Sequence, residues 1–181
     1  MKKICISLIT LAIIILTIFA AYTMINGESQ PNTEYLRIHI RADSNNETDQ
    51  NVKYLVRDAV VKFLTPYIAE CDTKEKAENM LSDNLSDIEK VADSVLYENG
   101  FDYKARASVR VEEFPTRTYG DLTLENGFYK ALILELGSGE GNNWWCVVYP
   151  PLCFTGGNSG YVVKSKIYEI INDFLKNKES K

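Results

Sequence analysis

The chain has 181 residues, 45% of them hydrophobic and 25% charged, with a formal net charge of -5. That length supports one domain with a substantial core and leaves little room for a second. No Lys/Arg-rich block follows Lys2-Lys3, and phosphate binding needs a dense basic face, so nucleic acid is excluded as a partner.

Residues 4–25 carry no charge, are interrupted only by Ser7, Thr10, Thr17, Tyr22 and Thr23, and follow Lys2 and Lys3. This is the pattern of an export signal. At about 1.5 Å per helical residue the run is also long enough to cross a bilayer of roughly 30 Å. Ala20 and Ala21 make a poor processing site, so a cleaved signal and a retained anchor both stay open. The expected organisation is a signal peptide or membrane anchor over residues 1–26, a polar linker over 27–33, one exported domain over 34–177 and a short tail over 178–181.

Residues 34–42 alternate cleanly, with Leu36, Ile38 and Ile40 against Arg37, His39 and Arg41, the period of a half-buried strand. A polar turn over 43–49 then leads into a helix over 49–67, whose apolar residues Val52, Leu55, Val56, Ala59, Val60, Phe63 and Leu64 fall at spacings of three and four. Pro66 lacks an amide proton and disfavours helical geometry just before it, so the helix is expected to end or kink there. A second helix is predicted over residues 73–98, capped at its start by Asp72-Thr73 and closed by Asn99-Gly100. Strand periodicity returns over 101–113 and again over 127–136, separated by a loop containing Pro115 and Gly120. A last helix is predicted over 161–177. The fold class is therefore α+β: an antiparallel sheet of about three to five strands packed against two long helices and a C-terminal helix, after an N-terminal hydrophobic helix.

The most unusual stretch is residues 137–154. It holds both tryptophans, Cys146, Cys153 and the Pro150-Pro151 pair. Its first part alternates glycine with small polar residues and reads as a flexible loop; its second part supplies large, stiff side chains. Adjacent residues of an extended segment point to opposite faces, so Trp144 and Trp145 cannot both bury against one core, and one ring is left for a partner or a second layer. Cys146 and Cys153 are either a disulfide pair or two buried thiols, and Cys71 is the odd cysteine of the exported part.

No assembled set of reactive residues emerges. His39 is the sole histidine and has no Ser or Cys nucleophile motif beside it, so it is expected to make a polar contact on the solvent or partner side of the sheet. The acidic turn at Asp43, Glu47 and Asp49 lacks the glycine of a calcium loop, and the cysteines lack zinc spacing. No catalytic residue, metal or cofactor is expected. A competing reading is a cell-wall-binding or peptidoglycan-cleaving domain, with aromatic stacking on sugars, Glu140 as an acid, and Asp121 or Glu125 as a second carboxylate.

Four blocks carry a resemblance to a known family: Leu36-Arg37-Ile38-His39-Ile40-Arg41-Ala42-Asp43-Ser44 with the helix that follows; Phe114-Pro115-Thr116-Arg117 with Tyr119-Gly120; Gly127-Phe128-Tyr129-Lys130-Ala131-Leu132; and Gly139-Glu140-Gly141 with the Asn143–Cys153 stretch. In these the sequence resembles the stage II sporulation protein R family of endospore-forming bacteria. The resemblance implies a signalling protein rather than an enzyme. Such a protein is made in the forespore, exported into the space between the two sporulation membranes, and required there for a membrane-embedded aspartic protease to process the mother-cell sigma-E precursor. Under that reading Trp144, Trp145, Tyr149, Pro150 and Pro151 form the partner-facing patch, with Phe114, Arg117 and Tyr119 as secondary candidates. The membrane is a further partner through residues 4–25 if the segment is uncleaved.

Overall fold

A computed structural model describes residues 13–17, 32–120, 122–154 and 161–179, with the side chains of Thr33, of residues 161–166 and of Glu179 left aside. The chain divides into two compact units, Met1–Gln30 and Pro31–Lys181. In the first, residues 13–17 are helical, and the Thr17 hydroxyl donates to the Ile14 carbonyl at 2.9 Å. The remainder of the expected export segment, together with the linker up to residue 31, lies outside the described residues. Among the described residues no helix is long and apolar enough to cross a membrane.

The second unit is α+β, as its alternating and three-to-four-spaced apolar patterns require. In chain order it comprises β1 (Asn32–Arg41), α1 (Glu47–Ile68), α2 (Lys74–Asp83), α3 (Leu85–Glu98), β2 (Ala105–Phe114), β3 (Arg117–Tyr119), β4 (Leu122–Leu124), β5 (Gly127–Leu136), β6 (Asn143–Tyr149), a 3₁₀ turn (Leu152–Phe154) and α4 (Tyr161–Glu179). The main sheet has the order β2-β5-β1-β6, and β3 and β4 pair only with each other. β2 and β5 are antiparallel, as are β1 and β6, but β1 and β5 run parallel, so the sheet is mixed. Periodicity within a strand is blind to the direction of its neighbour, which is why the sequence suggested antiparallel pairing throughout.

One sheet face carries Leu36, Ile38 and Ile40 from β1, Leu132, Leu134 and Leu136 from β5, and Cys146 and Val148 from β6. These pack on Val52, Val56, Val60 and Leu64 of α1, Ala77 and Leu81 of α2, and Ile88, Ala92 and Leu96 of α3. The opposite face carries Tyr35, Phe114, Tyr129, Ala131, Ile133 and Val147, joined by Leu124 from the β3–β4 hairpin. A strand between two neighbours with both faces covered loses contact with water, and β1 is buried from Tyr35 to Ile40. The expectation of a half-buried β1 is therefore corrected: Arg37 and His39 are inside, at 0% and 4% exposure.

Two helix boundaries also differ from expectation. α1 continues through Pro66 to Ile68, because Leu64 and Ile68 are both fully buried and hold the last turn on the core while the Thr65 hydroxyl donates to the Val61 carbonyl at 2.6 Å. The long second helix is broken at Asn84, whose side-chain amide donates to the Met80 carbonyl at 2.7 Å in competition with the helix ladder. On the outer edge of β2, the Ala105 and Ala107 amides donate to the Asp93 and Glu89 carboxylates of α3 at 2.8 Å, which blunts that edge.

Candidate functional site

Alternation along β1 sends Arg37, His39 and Arg41 to the face away from α1–α3. Register then brings the surrounding residues to them. Trp145 of β6 lies across from His39 and Val147 across from Arg37, while Glu112 on β2 pairs with Tyr129 on β5. The β3 strand adds Arg117 and Tyr119.

The Arg37 guanidinium lies 4.3 Å from the Phe114 ring centroid, 4.8 Å from that of Tyr129 and 5.9 Å from that of Tyr119. One of its nitrogens donates to the Tyr119 hydroxyl at 2.8 Å, whereas Nε and Nη1 have no hydrogen-bond partner. Among the described residues no carboxylate forms an ion pair with it. A fully buried charge normally has such a partner; Lys53, buried on the other side of the sheet, also lacks one but donates to Gln50 Oε1 and the Asn142 carbonyl.

His39 places Nδ1 2.7 Å from Glu112 Oε2, stacks on Trp145 with ring centroids 5.4 Å apart, and meets the Phe114 ring edge-on at 5.6 Å. Burial lowers its pKa from the ordinary value, outweighing the pull of Glu112 in the other direction. Nδ1 faces the Glu112 carboxylate, and Nε2 is buried with no hydrogen-bond partner within bonding distance. Trp145 is half-buried, with the Arg117 guanidinium 4.2 Å over its ring, and its indole Nε1 is buried and unpaired. Beside this group Arg41 bridges Glu112 and Glu135, and Arg110 meets Glu135 at 3.0 Å. Burial pushes the Glu135 carboxyl up, but Arg110 and Arg41 outweigh it and hold the pKa below the usual range.

Of the residues expected to face a partner, Trp145, Phe114, Arg117 and Tyr119 come together here. Trp144 is on the other face of the sheet, half-buried against the helical side, with the Arg57 guanidinium 5.6 Å from its ring. The expectation of an exposed patch is corrected for Tyr149, Pro150, Pro151 and Phe114, all buried. Tyr149 donates its hydroxyl to the Asp72 carbonyl at 2.7 Å and packs edge-on against Phe174, so it braces the end of β6. Cys146 and Cys153 are disulfide-bonded, with Cα atoms 6.0 Å apart, and residues 150–154 turn back along the sheet. Cys71 is a buried free thiol.

The glycine-rich segment before β6 is clamped rather than free. The Gly141 amide donates to the Ala42 carbonyl at 2.8 Å, Ser138 N to Asp43 Oδ1 at 2.6 Å, and Asn142 N to Asn45 Oδ1 at 2.7 Å. Glu140 is exposed at that end of β5, and Glu125 lies just before its other end. A ten-residue strand separates them by about 30 Å, against roughly 5–10 Å for the carboxyl pairs of glycosidases. Glu140 and Glu125 therefore do not form such a pair, and Asp121 lies outside the described residues.

Sequence reasoning passed over Arg37 and Glu112, which read as ordinary polar positions of alternating strands. The available signal was the Arg37-His39-Arg41 row itself, together with the surplus of aromatic residues, Phe114, Tyr119, Tyr129 and Trp145, in strands with no second core assigned to them.

The fold is α+β, with a mixed sheet whose face away from α1–α3 carries aromatic rings and guanidinium groups. The family model for stage II sporulation protein R matches residues 32–159, more than half of the chain, and the chain belongs to that family. It is 33% identical over 143 residues to stage II sporulation protein R of Bacillus subtilis (strain 168), an alignment that covers 77% of this chain and 64% of the relative. The chain thus aligns with less than two thirds of that relative's length. No solved structure matches.

Proposed function

We propose that the chain is an exported intercompartmental signal of sporulation, which activates a membrane-embedded aspartic protease and so leads to processing of the mother-cell sigma-E precursor. It acts in the space between the forespore and mother-cell membranes, either released or held there by residues 4–25. It performs no bond chemistry; the protease does. The observation that carries this reading is the half-buried Trp145 under Arg117, backed by His39 and Arg37 with polar atoms still unsatisfied. Rigid aromatics and arginines supply contact area at small entropic cost and dominate binding energy where they occur. Trp144 and Arg57 offer a second contact on the opposite side of the same strand. Phe114, Tyr119, Tyr149, Pro150 and Pro151 hold these groups in place.

Activation by contact requires that the signal bind the active arrangement of the protease more tightly than the resting one. The test is reconstitution in a host without other sporulation proteins, co-producing the full chain, the protease and the precursor. Processing that depends on the chain supports the proposal; processing that proceeds equally without it overturns it.

A further inference from the structure

β2 is an outer strand of the main sheet, with β5 on one side and no strand on the other. The direction of its backbone groups is fixed at its start. The Lys104 carbonyl accepts from the Gly137 amide at the end of β5, whereas the Ala105 and Ala107 amides point outward to the Asp93 and Glu89 carboxylates of α3. Alternation along an antiparallel strand therefore turns the N–H and C=O groups of Val109, Val111 and Glu113 outward as well. Among the described residues nothing bonds to them: α3 caps only the first two outward positions, and the β3–β4 hairpin crosses the aromatic face to Arg37 on β1 and Trp145 on β6. Val111 is 44% exposed, and Arg110 and Glu113 on either side of it are exposed. An uncovered edge with an exposed β-branched residue is a template for a further strand.

We infer that this edge receives a second copy of the chain, β2 pairing antiparallel with β2 of that copy about a two-fold axis at Val111 and joining the two sheets into one. The register follows by elimination. An axis between two residues sets outward positions opposite inward ones and forms no ladder. An axis at Arg110 or Glu112 sets two like charges directly opposite each other, which is destabilising. An axis at Val109 calls on the Ala107 amide, already taken by Glu89. The axis at Val111 sets Val109 opposite Glu113 of the second copy, uses all three free positions and forms about six ladder bonds. It also sets Arg110 opposite Glu112 in both halves, and opposite charges across strands stabilise a pair. Arg110 already lies 3.7 Å from Glu112 of its own chain, so the junction extends a charge network in place. Val111 meets its own counterpart on the axis and leaves water. The ladder also has a natural end: β2 stops at Phe114, and Pro115, which has no amide proton, falls opposite Ala107, where the carboxylates of α3 begin. Both copies use the same edge, so the assembly closes at two. The inference goes beyond the proposed recognition role and uses a strand edge rather than the Trp145 face.

The experiment is disulfide trapping of the full-length chain in a Cys5→Ser background, in an excess of detergent micelles, with a single cysteine placed at Val109, Val111 or Glu113. Facing residues of a bonded antiparallel pair have Cα atoms about 5.5 Å apart, within disulfide reach. Val109 and Glu113 are displaced from their own counterparts by roughly 14 Å along the strand. Val111→Cys is therefore expected to give covalent dimer under mild oxidation at least about tenfold faster than Val109→Cys or Glu113→Cys, because it alone is within reach of itself. Sedimentation is the second reading. The unaltered chain is expected to be a dimer, and Val111→Lys, which sets two like charges on the axis, a monomer at the same concentration. Equal trapping at the three positions, no trapping at Val111, a monomeric unaltered chain or a dimeric Val111→Lys chain overturns the inference, and the unaltered chain decides should a variant fail to fold. If the chain is monomeric while chain-dependent processing persists in reconstitution, only this assignment falls and the signalling role stands.

Discussion

Arg37 carries a full charge at a position without access to water and without an ion-pair partner among the described residues. Such a residue is costly to keep and is poor material for a core. Its neighbour His39 is in a related situation, and there the consequence can be read in solution. Its folded pKa is lowered below the ordinary 6.5, burial being the main cause, with Glu112 and Asn143 opposing and Arg41 assisting. The unfolded chain therefore binds more protons than the folded one once pH falls below that value. The contribution is fully present above pH 6.5 and is lost as pH falls from 6.5 towards the folded value. Denaturant unfolding of the wild type is expected to show declining stability over this window, and His39→Asn a weaker decline; identical pH profiles would remove His39 as the source. The residues that make this site were visible as a row of alternating polar positions, but their burial was not. Alternation specifies two faces of a strand and says nothing about whether the polar face is later covered, and here residues more than seventy positions downstream cover it.

Among the elements, the segment leading into β6 departs furthest from its sequence signature. Alternating glycines suggested mobility, yet the backbone is tied to the β1–α1 turn by three hydrogen bonds to Ala42, Asp43 and Asn45. Glycine is required here for close approach: a Cβ on Gly141 would collide with the Ser44 carbonyl, and Gly139 has a φ of +69°. Gly141→Ala is expected to lower stability by about 1–3 kcal/mol, the usual penalty of overpacking, measured by urea unfolding; an unchanged midpoint would mean that the segment yields freely. From the middle of β6 the Cys146–Cys153 bond closes a short loop. The double variant Cys146→Ser/Cys153→Ser is expected to lose about 2.5 kcal/mol by loop-closure entropy, and no loss would mean that the thiols are reduced in the native protein. The helices and long strands were legible because their periods are strong. The β3–β4 hairpin was not, since three-residue strands carry too little pattern to register and Pro115 and Gly120 suggested only a loop.

At the scale of the molecule, two cores share one sheet. The larger, under α1–α3, is mostly aliphatic, with Tyr149 and Phe154 at its edge, and fixes the fold. The smaller holds aromatic rings with arginine and histidine among them, and it carries the polar atoms that the fold leaves unsatisfied. This division explains how a domain can be rigid and still hold recognition groups ready: the first core supplies the stability that tolerates the second. It also assigns different tasks to the two tryptophans, which project from adjacent positions of β6 to opposite sides, as an extended backbone dictates. The measurement that tests the central claim most directly is chain-dependent processing of the precursor in the reconstituted system by the Trp145→Ala variant, with folding verified by its thermal transition. Recognition through this face predicts that the variant remains folded while processing falls at least about tenfold, the loss expected for a binding hot spot. Processing at the wild-type level by a folded Trp145→Ala chain would contradict it.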